Sequence, residues 1–258
     1  MLVFSSFWFH LLVVASLLAA RYVLTVRLKP SSEAMRVRIN DARETCDSVS
    51  VTLFALFFLI QPFVAQAYWI PTGSMENSLP INTRILASPL APKVVPVRSG
   101  EVLVFNAPTK ALQLSNGQEG EVWVKRCIGT PGQVIEIKKN VLWRDGKIVA
   151  EPYAIWSSPG AFPITYDMKL VGNAVYSRVY DSMGIAGLWT QAEVMAPDQN
   201  AITAAASGPV PSNKFLMLGD HRNASLDGHV WGFLNKDAIV GRAFVSFWPP
   251  RQIGTIGR

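Results

Sequence analysis

Ser74 stands in the run Gln66-Ala-Tyr-Trp-Ile-Pro-Thr-Gly-Ser-Met-Glu-Asn-Ser-Leu-Pro80, directly after a long uncharged apolar stretch. A serine hydroxyl attacks a carbonyl only when a base takes its proton. Of the three histidines, His10 falls inside an apolar N-terminal segment, whereas His221 and His229 lie near Asp220 and Asp227. A Ser/His/Asp triad can therefore be written down. Lys125, in Val124-Lys-Arg-Cys-Ile-Gly-Thr-Pro-Gly132, offers another base. At its ordinary pKa roughly one lysine in a few thousand is neutral at pH 7, so it would have to be desolvated, and burial lowers a lysine pKa by up to about 3 to 5 units. Strand alternation puts Trp123, Lys125 and Cys127 on one face and leaves Arg126 on the opposite face, free to meet solvent. Both residues also have plain readings. A glycine followed by a hydroxyl residue is ordinary turn chemistry, and an edge-strand lysine commonly snorkels to the surface.

The elements that must position these residues begin with two apolar stretches. No charge interrupts Leu2 to Ala20, and none interrupts Ser48 to Met75. Each is long enough for a hydrocarbon core of about 30 Å, which takes roughly 20 helical residues. We read residues 1–25 as a first transmembrane helix, 26–48 as a basic cytoplasmic loop and 49–69 as a second transmembrane helix. Between the apolar stretches lie Arg21, Arg27, Lys29, Arg36, Arg38 and Arg43 against Glu33, Asp41, Glu44 and Asp47, which by the positive-inside rule is cytoplasmic. Everything after about residue 70 is then delivered to the far side. A cleaved signal peptide is the alternative for the first span, but such peptides carry their positive charge before the apolar core, and here it follows.

Hydrophobic residues make up 50% of the 258-residue chain, too apolar a composition for an ordinary soluble domain. The net charge of +6 is not gathered into one basic tract, so nucleic acid is not implied, and attraction to anionic membrane lipid accounts for a mild positive bias. The two cysteines, Cys46 and Cys127, fall on opposite sides of the bilayer in this topology and cannot pair, which leaves no disulfide framework and no cysteine-based metal site.

Residues 70–258 read as one mainly antiparallel β domain. Short alternating runs at Glu101–Phe105, Glu121–Ile128, Val134–Lys138, Phe215–Leu218 and Ala238–Trp248 suit strands. Val141–Val149 reads as a hairpin, because Asp145-Gly146 can take the positive φ angles of a type I′ turn. Residues from about 152 to 212 are less regular, with breakers at Ser157–Gly160 and Ala196–Pro211, and read as an insertion between core strands. Its Tyr153, Trp156, Tyr166, Tyr176, Tyr180 and Trp189 could form packing of its own.

Four blocks occur in order: Ile70-Pro-Thr-Gly-Ser-Met75, Gly100-Glu-Val-Leu-Val-Phe105, Val124-Lys-Arg-Cys-Ile-Gly-Thr-Pro-Gly132 and Leu218-Gly-Asp-His-Arg-Asn-Ala-Ser-Leu-Asp-Gly-His-Val-Trp-Gly232. In these the chain resembles the bacterial type I signal peptidases, or leader peptidases, of peptidase family S26. The resemblance implies two N-terminal transmembrane helices followed by the β fold that this family shares with LexA-like proteases, in the bacterial inner membrane with the catalytic domain on the periplasmic side. It implies a serine endopeptidase that removes signal peptides from exported preproteins after small residues in an Ala-x-Ala pattern, near the secretion translocon and with no cofactor or metal. By that resemblance Ser74 is the nucleophile and Lys125 its general base. Thr72, where serine is more usual, and the Ser74 backbone N–H would hold the oxyanion. Ser225 would orient Lys125 by a hydrogen bond, and Met75 would pack beneath the nucleophile. Asp220, Arg222 and Asp227 would hold their loop against the site, although each also reads as a turn-stabilising ion-pair partner. The substrate would add as an extended strand beside Pro71–Met75 and the strand before Lys125.

This chain departs from the family pattern at His229, which stands where an arginine commonly pairs with the aspartate matched by Asp227, and at Gly228, His221 and Gln133. An Asp227/His229 pair is ionic only when the histidine is protonated. Two other functions compete: a Ser/Lys maturation peptidase dedicated to a substrate such as conjugation pilin, and an anchored β domain that binds exported chains without cutting them.

Overall fold

The computed structural model describes residues 7–156, 165–191 and 194–257, so the breaker expected at Ser157–Gly160 lies outside the described residues. The chain divides into two compact units, an N-terminal helical one ending at Gln66 and a second that starts at Ala67.

In the helical unit, α1 (Phe7–Val26) and α2 (Glu33–Phe54) pack side by side. Arg43 donates to the Leu24 carbonyl at 2.7 Å, and Arg21 pairs with Asp47. Among the described residues one helical stretch, Phe9–Val26, is long and apolar enough to cross a membrane by length and composition. Two sequence expectations shift here. The segment 26–48 is a loop only as far as Ser32, whose hydroxyl caps α2 by accepting from the Met35 N–H, so most of its charges sit on a helix. The helix expected over 49–69 runs on from α2 through a π turn at Ala55–Ile60 and stops at Phe63. The π turn comes just before Pro62, which lacks the N–H that an α turn needs. Gln66–Trp69 is already a strand.

The larger unit is two antiparallel sheets. The first carries β1 (Gln66–Trp69), β2 (Arg84–Ser88), β3 (Val102–Asn106), β4 (Val122–Gly129), β12 (Lys214–Leu218), β13 (Leu234–Asn235), β14 (Ile239–Trp248) and β15 (Gly254–Thr255). Their order is β1-β2-β14-β3-β4-β12-β13, with β15 beside β14. The second contains β5 (Ile135–Lys138), β6 (Val141–Arg144), β7 (Lys147–Ile148), β8 (Tyr166–Val171), β9 (Ala174–Val179), β10 (Thr190–Gln191) and β11 (Val194–Met195), in the order β11-β10-β9-β8-β5-β6-β7. The predicted hairpin is β6–β7, with Asp145 at φ 51° and Gly146 at φ 74°.

The insertion is therefore larger than its irregular part. β5 alternates like the core strands but pairs with β8 through Glu136–Lys169 and Ile137–Met168, and β6 and β7 follow beside it, so the second sheet begins at Ile135 rather than near 152. Its inner face does not pack on itself: Ile135, Ile137, Leu142, Tyr166, Met168 and Leu170 share one core with Ile128, Leu216 and Leu218 of the first sheet. Tyr153 and Trp156 join that core.

β4 is central to the first sheet, between β3 and β12, and both of its faces are covered. Val122 and Val124 pack with Met75, Leu79 and Val104, while Trp123 and Cys127 pack with Leu103, Phe105 and Met217.

Candidate active site

Ser74 lies in a single 3-10 turn, Gly73–Met75, entered from the extended residue Thr72 (φ −125°, ψ 155°). Met75 is buried in the core beneath the turn. The turn and the first half of β4 line one cleft of about 320 Å³, where Ser74 and Lys125 meet with Thr72, Trp123, Val124 and Leu226. Lys125 is 4% exposed. Burial lowers its pKa from 10.5 to about 8, against the opposing pull of the Asp227 and Asp220 carboxylates. Its ammonium lies 6.0 Å from the centre of the Trp123 ring, on the same strand face as the sequence predicts. Thr72 Oγ1 lies 3.4 Å from Ser74 Oγ, so the two hydroxyls form a pair at the cleft wall.

Behind the turn runs the segment from Gly219 to His229. The His221 N–H donates to the Ser74 carbonyl at 3.1 Å. Gly219 has to be glycine: a Cβ there would stand 2.6 Å from that carbonyl oxygen and 2.2 Å from Ser225 Oγ. Ser225 is buried, but its hydroxyl makes no hydrogen bond here, so the bond to Lys125 expected of it is not formed in this conformation. Its neighbours Ala224 and Leu226 do line the cleft.

Asp227 is fully buried and caps the short helix Gly228–Trp231. Its Oδ2 accepts from the Gly219 N–H at 2.7 Å, and its Oδ1 lies 2.6 Å from His229 Nδ1. Burial alone would raise its pKa, but His229, Lys125 and the Gly219 N–H together hold it below the usual carboxylate range. The His229 ring in turn stacks on Tyr166 of the second sheet, with centroids 5.7 Å apart.

Asp220 and Arg222 find their partners far from the turn. Asp220 accepts from Arg126 Nε and Nη2, each at 2.8 Å, across the β4–β12 pairing. Arg222 pairs with Glu151 and donates from Nε to the Gly219 carbonyl. Arg126 is thus the reverse of the solvent-facing residue expected. It is 1% exposed, donates to the Gly100 carbonyl and to Ser78 Oγ, and lies 3.8 Å from the centre of the Tyr153 ring. The sequence held a signal for this, because Arg126 has the strand parity of Val122 and Val124, which face a covered core. Glu151 and Gly219 were also missed, the first because it lies 71 residues from Arg222 and the second because its need for glycine is a matter of tertiary contact.

Neither His221 nor His229 lines the cleft. The His221 ring lies 3.6 Å from Glu76, and the His229 ring is engaged by Asp227 and Tyr166. Among the described residues no group of three or more metal-ligating side chains is assembled. What the cleft offers is two neighbouring hydroxyls and a buried amine.

A profile of the family described as signal peptidase, peptidase S26, matches residues 43–248. A probable signal peptidase I-2 of Synechocystis sp. is 32% identical over 80% of this chain and 73% of its own. Signal peptidase I of Leptolyngbya laminosa is 31% identical over 77% of this chain and 76% of its own. Signal peptidase IB of Staphylococcus aureus is 26% identical over 76% and 84%. A solved signal peptidase I from Enterococcus faecalis V583 aligns with 57% of this chain and 97% of its own at 19% identity, with a TM-score of 0.34.

Proposed function

The chain belongs to the signal peptidase family, peptidase S26, and from that premise we propose that it is a membrane-anchored serine endopeptidase that removes signal peptides from exported preproteins by a Ser74/Lys125 dyad. The observation that carries the reading is a buried lysine facing the serine in one cleft. With a pKa of about 8, roughly one Lys125 in ten is neutral at pH 7. That is enough for a general base.

Neutral Lys125 takes the Ser74 proton as Oγ attacks the scissile carbonyl carbon. The carbonyl oxygen gains the charge and is held by the Ser74 N–H and the Thr72 hydroxyl, donors that need little movement to meet it. As the intermediate collapses the C–N bond breaks, and the Lys125 ammonium returns the proton to the leaving amine of the mature protein. The signal peptide is left as an ester on Ser74. A water then gives its proton to Lys125 and attacks the ester, and the proton passes back to Ser74. The Ser225 hydroxyl, unpartnered in this conformation, is assigned to hold Lys125 during these transfers, and Asp220, Arg222 and Asp227 act as positioning residues.

The anchor is read as two crossings with the catalytic unit outside the cell membrane. α1 supplies the first. The second is the uncharged stretch Ser48–Phe63, which at ~1.5 Å rise per helical residue is about 24 Å long. The basic residues between them favour the cytoplasmic side. A site a few residues beyond such a crossing meets a signal peptide where it emerges.

Ser74→Ala and Lys125→Ala in the full chain should each lower cleavage of a secretory preprotein by at least about 10⁴-fold while the far-ultraviolet circular dichroism stays unchanged. The pair His221→Ala/His229→Ala should retain turnover. Loss of activity only in the histidine variant, with its fold intact, would move the base to a histidine.

A further inference from the structure

The outward face of the second sheet carries a groove of about 490 Å³ that shares no lining residue with the Ser74–Lys125 cleft. Strand alternation builds it. With Ile137, Leu142 and Met168 turned inward, Lys138, Trp143 and Lys169 face out. Four cations line the groove, Lys138, Lys139, Lys169 and Arg178, and each lies over an aromatic ring. Lys138 Nζ is 5.4 Å from the centre of Trp143, Lys139 Nζ 5.8 Å from Tyr180, and Lys169 Nζ and Arg178 Cζ are 4.8 and 4.5 Å from Trp189.

The lining holds only two carboxylates against these four charges. Glu136 pairs with Lys138 at 2.7 Å. Asp167 is saturated by Arg178, the Tyr180 hydroxyl and the Lys139 N–H. Lys169 is buried, and two of its three ammonium hydrogens go to the carbonyls of Thr203 and Ala205. Its pKa is lowered by burial and then by the charge of Arg178, with Glu136 and Asp167 pulling the other way. An excess of positive charge in a half-enclosed groove is costly, and a bound anion relieves it.

We propose that this groove is a binding site for a phosphate-bearing anion. The Arg178 fork is already taken by the planar Asp167 carboxylate, whereas the ammonium hydrogens left on Lys138, Lys139 and Lys169, from two strands and a turn, suit a tetrahedral oxyanion with several acceptor oxygens. The volume leaves room for an organic substituent on the phosphate. Such a group could come from a soluble phosphate ester or from a lipid headgroup.

The test is a ³¹P NMR titration of the full chain in a neutral, phosphate-free detergent with inorganic phosphate, glycerol 3-phosphate and dihexanoyl phosphatidylglycerol. We expect saturable binding of at least one probe, weakened about tenfold or more in Lys169→Met and in Lys138→Ala/Lys139→Ala. The second variant alters only exposed lysines and serves if the first does not fold. A preference for the lipid over glycerol 3-phosphate identifies a headgroup site, and equal or reversed affinity identifies a soluble ester. No saturable binding of any probe, or binding unchanged in the variants, would overturn the proposal.

Discussion

Lys125 joins the chemistry of this protein to its stability. Its burial holds the folded-state pKa at about 8 against 10.5 for an ordinary lysine. In the proposed mechanism the neutral amine is the active form, so log kcat/KM for preprotein cleavage should climb with unit slope as pH rises and level off at about pH 8. Lys125→Arg, which stays charged, should show no such limb. For stability the same shift works through linkage. Between pH 8 and 10.5 the unfolded chain keeps a proton on Lys125 that the folded chain has lost, so raising the pH favours the fold across that window. Below pH 8 both states are charged and the cost of burying the ammonium is borne in full. The wild type should therefore gain about 3 kcal/mol relative to Lys125→Met between pH 8 and 10.5, measured by urea unfolding at a series of pH values. A flat difference across that range would mean the amine is hydrated in the native state.

At the scale of elements, the 3-10 turn bearing Ser74 has little structure of its own and is held from behind by the segment Gly219–His229. That segment is fixed to β4 by the Arg126–Asp220 pair, with Arg126 and Asp220 1% and 0% exposed. Removing one partner of a buried pair leaves an uncompensated charge and costs about 3 to 5 kcal/mol, whereas replacing both with apolar residues often restores stability. Asp220→Ala should therefore lower the unfolding free energy by that amount and depress cleavage, and Arg126→Met/Asp220→Leu should recover much of the stability. β3, β4, β5, β12, β14 and the β6–β7 hairpin were legible in the sequence because alternation and the Asp145-Gly146 turn are local signals, whereas β1, β2 and the strands β8 to β11, which lie in the segment read as irregular, were not. Which sheet a strand joins was not legible: β5 alternates as β3 does, and only its pairing with β8 sends it, with β6 beside it, to the second sheet. Ser74 and Lys125 were candidates by type and position, and the family resemblance singled them out together with Thr72, but Arg126, Glu151 and Gly219 act through partners tens of residues away. Ser32 did carry a readable helix start, masked by the density of charge that follows it.

For the whole molecule, the proposed mechanism requires that Ser74 and the basic stretch from Arg21 to Asp47 lie on opposite sides of one membrane. The chain provides a built-in reporter, because Cys46 is a free, partly exposed thiol within that stretch and Cys127 is a free thiol buried in the β unit. Burial raises the Cys127 pKa to about 12, so it contributes almost no reactive thiolate near neutral pH. Gln118→Cys adds an exposed thiol in the loop before β4. In intact cells whose outer envelope has been made permeable, a charged, membrane-impermeant maleimide should label Gln118→Cys and leave the wild type unlabelled, and lysis should then expose Cys46. One crossing instead of two would put Cys46 and residue 118 on the same side, and both would then label together or be protected together. The same experiment separates a retained first helix from a cleaved one, since a processed chain would migrate faster by the mass of its N-terminal segment. Protection of Gln118→Cys in intact cells would remove the spatial basis of the proposed cleavage, because a signal peptide presents its cleavage site only on the side to which the preprotein is exported.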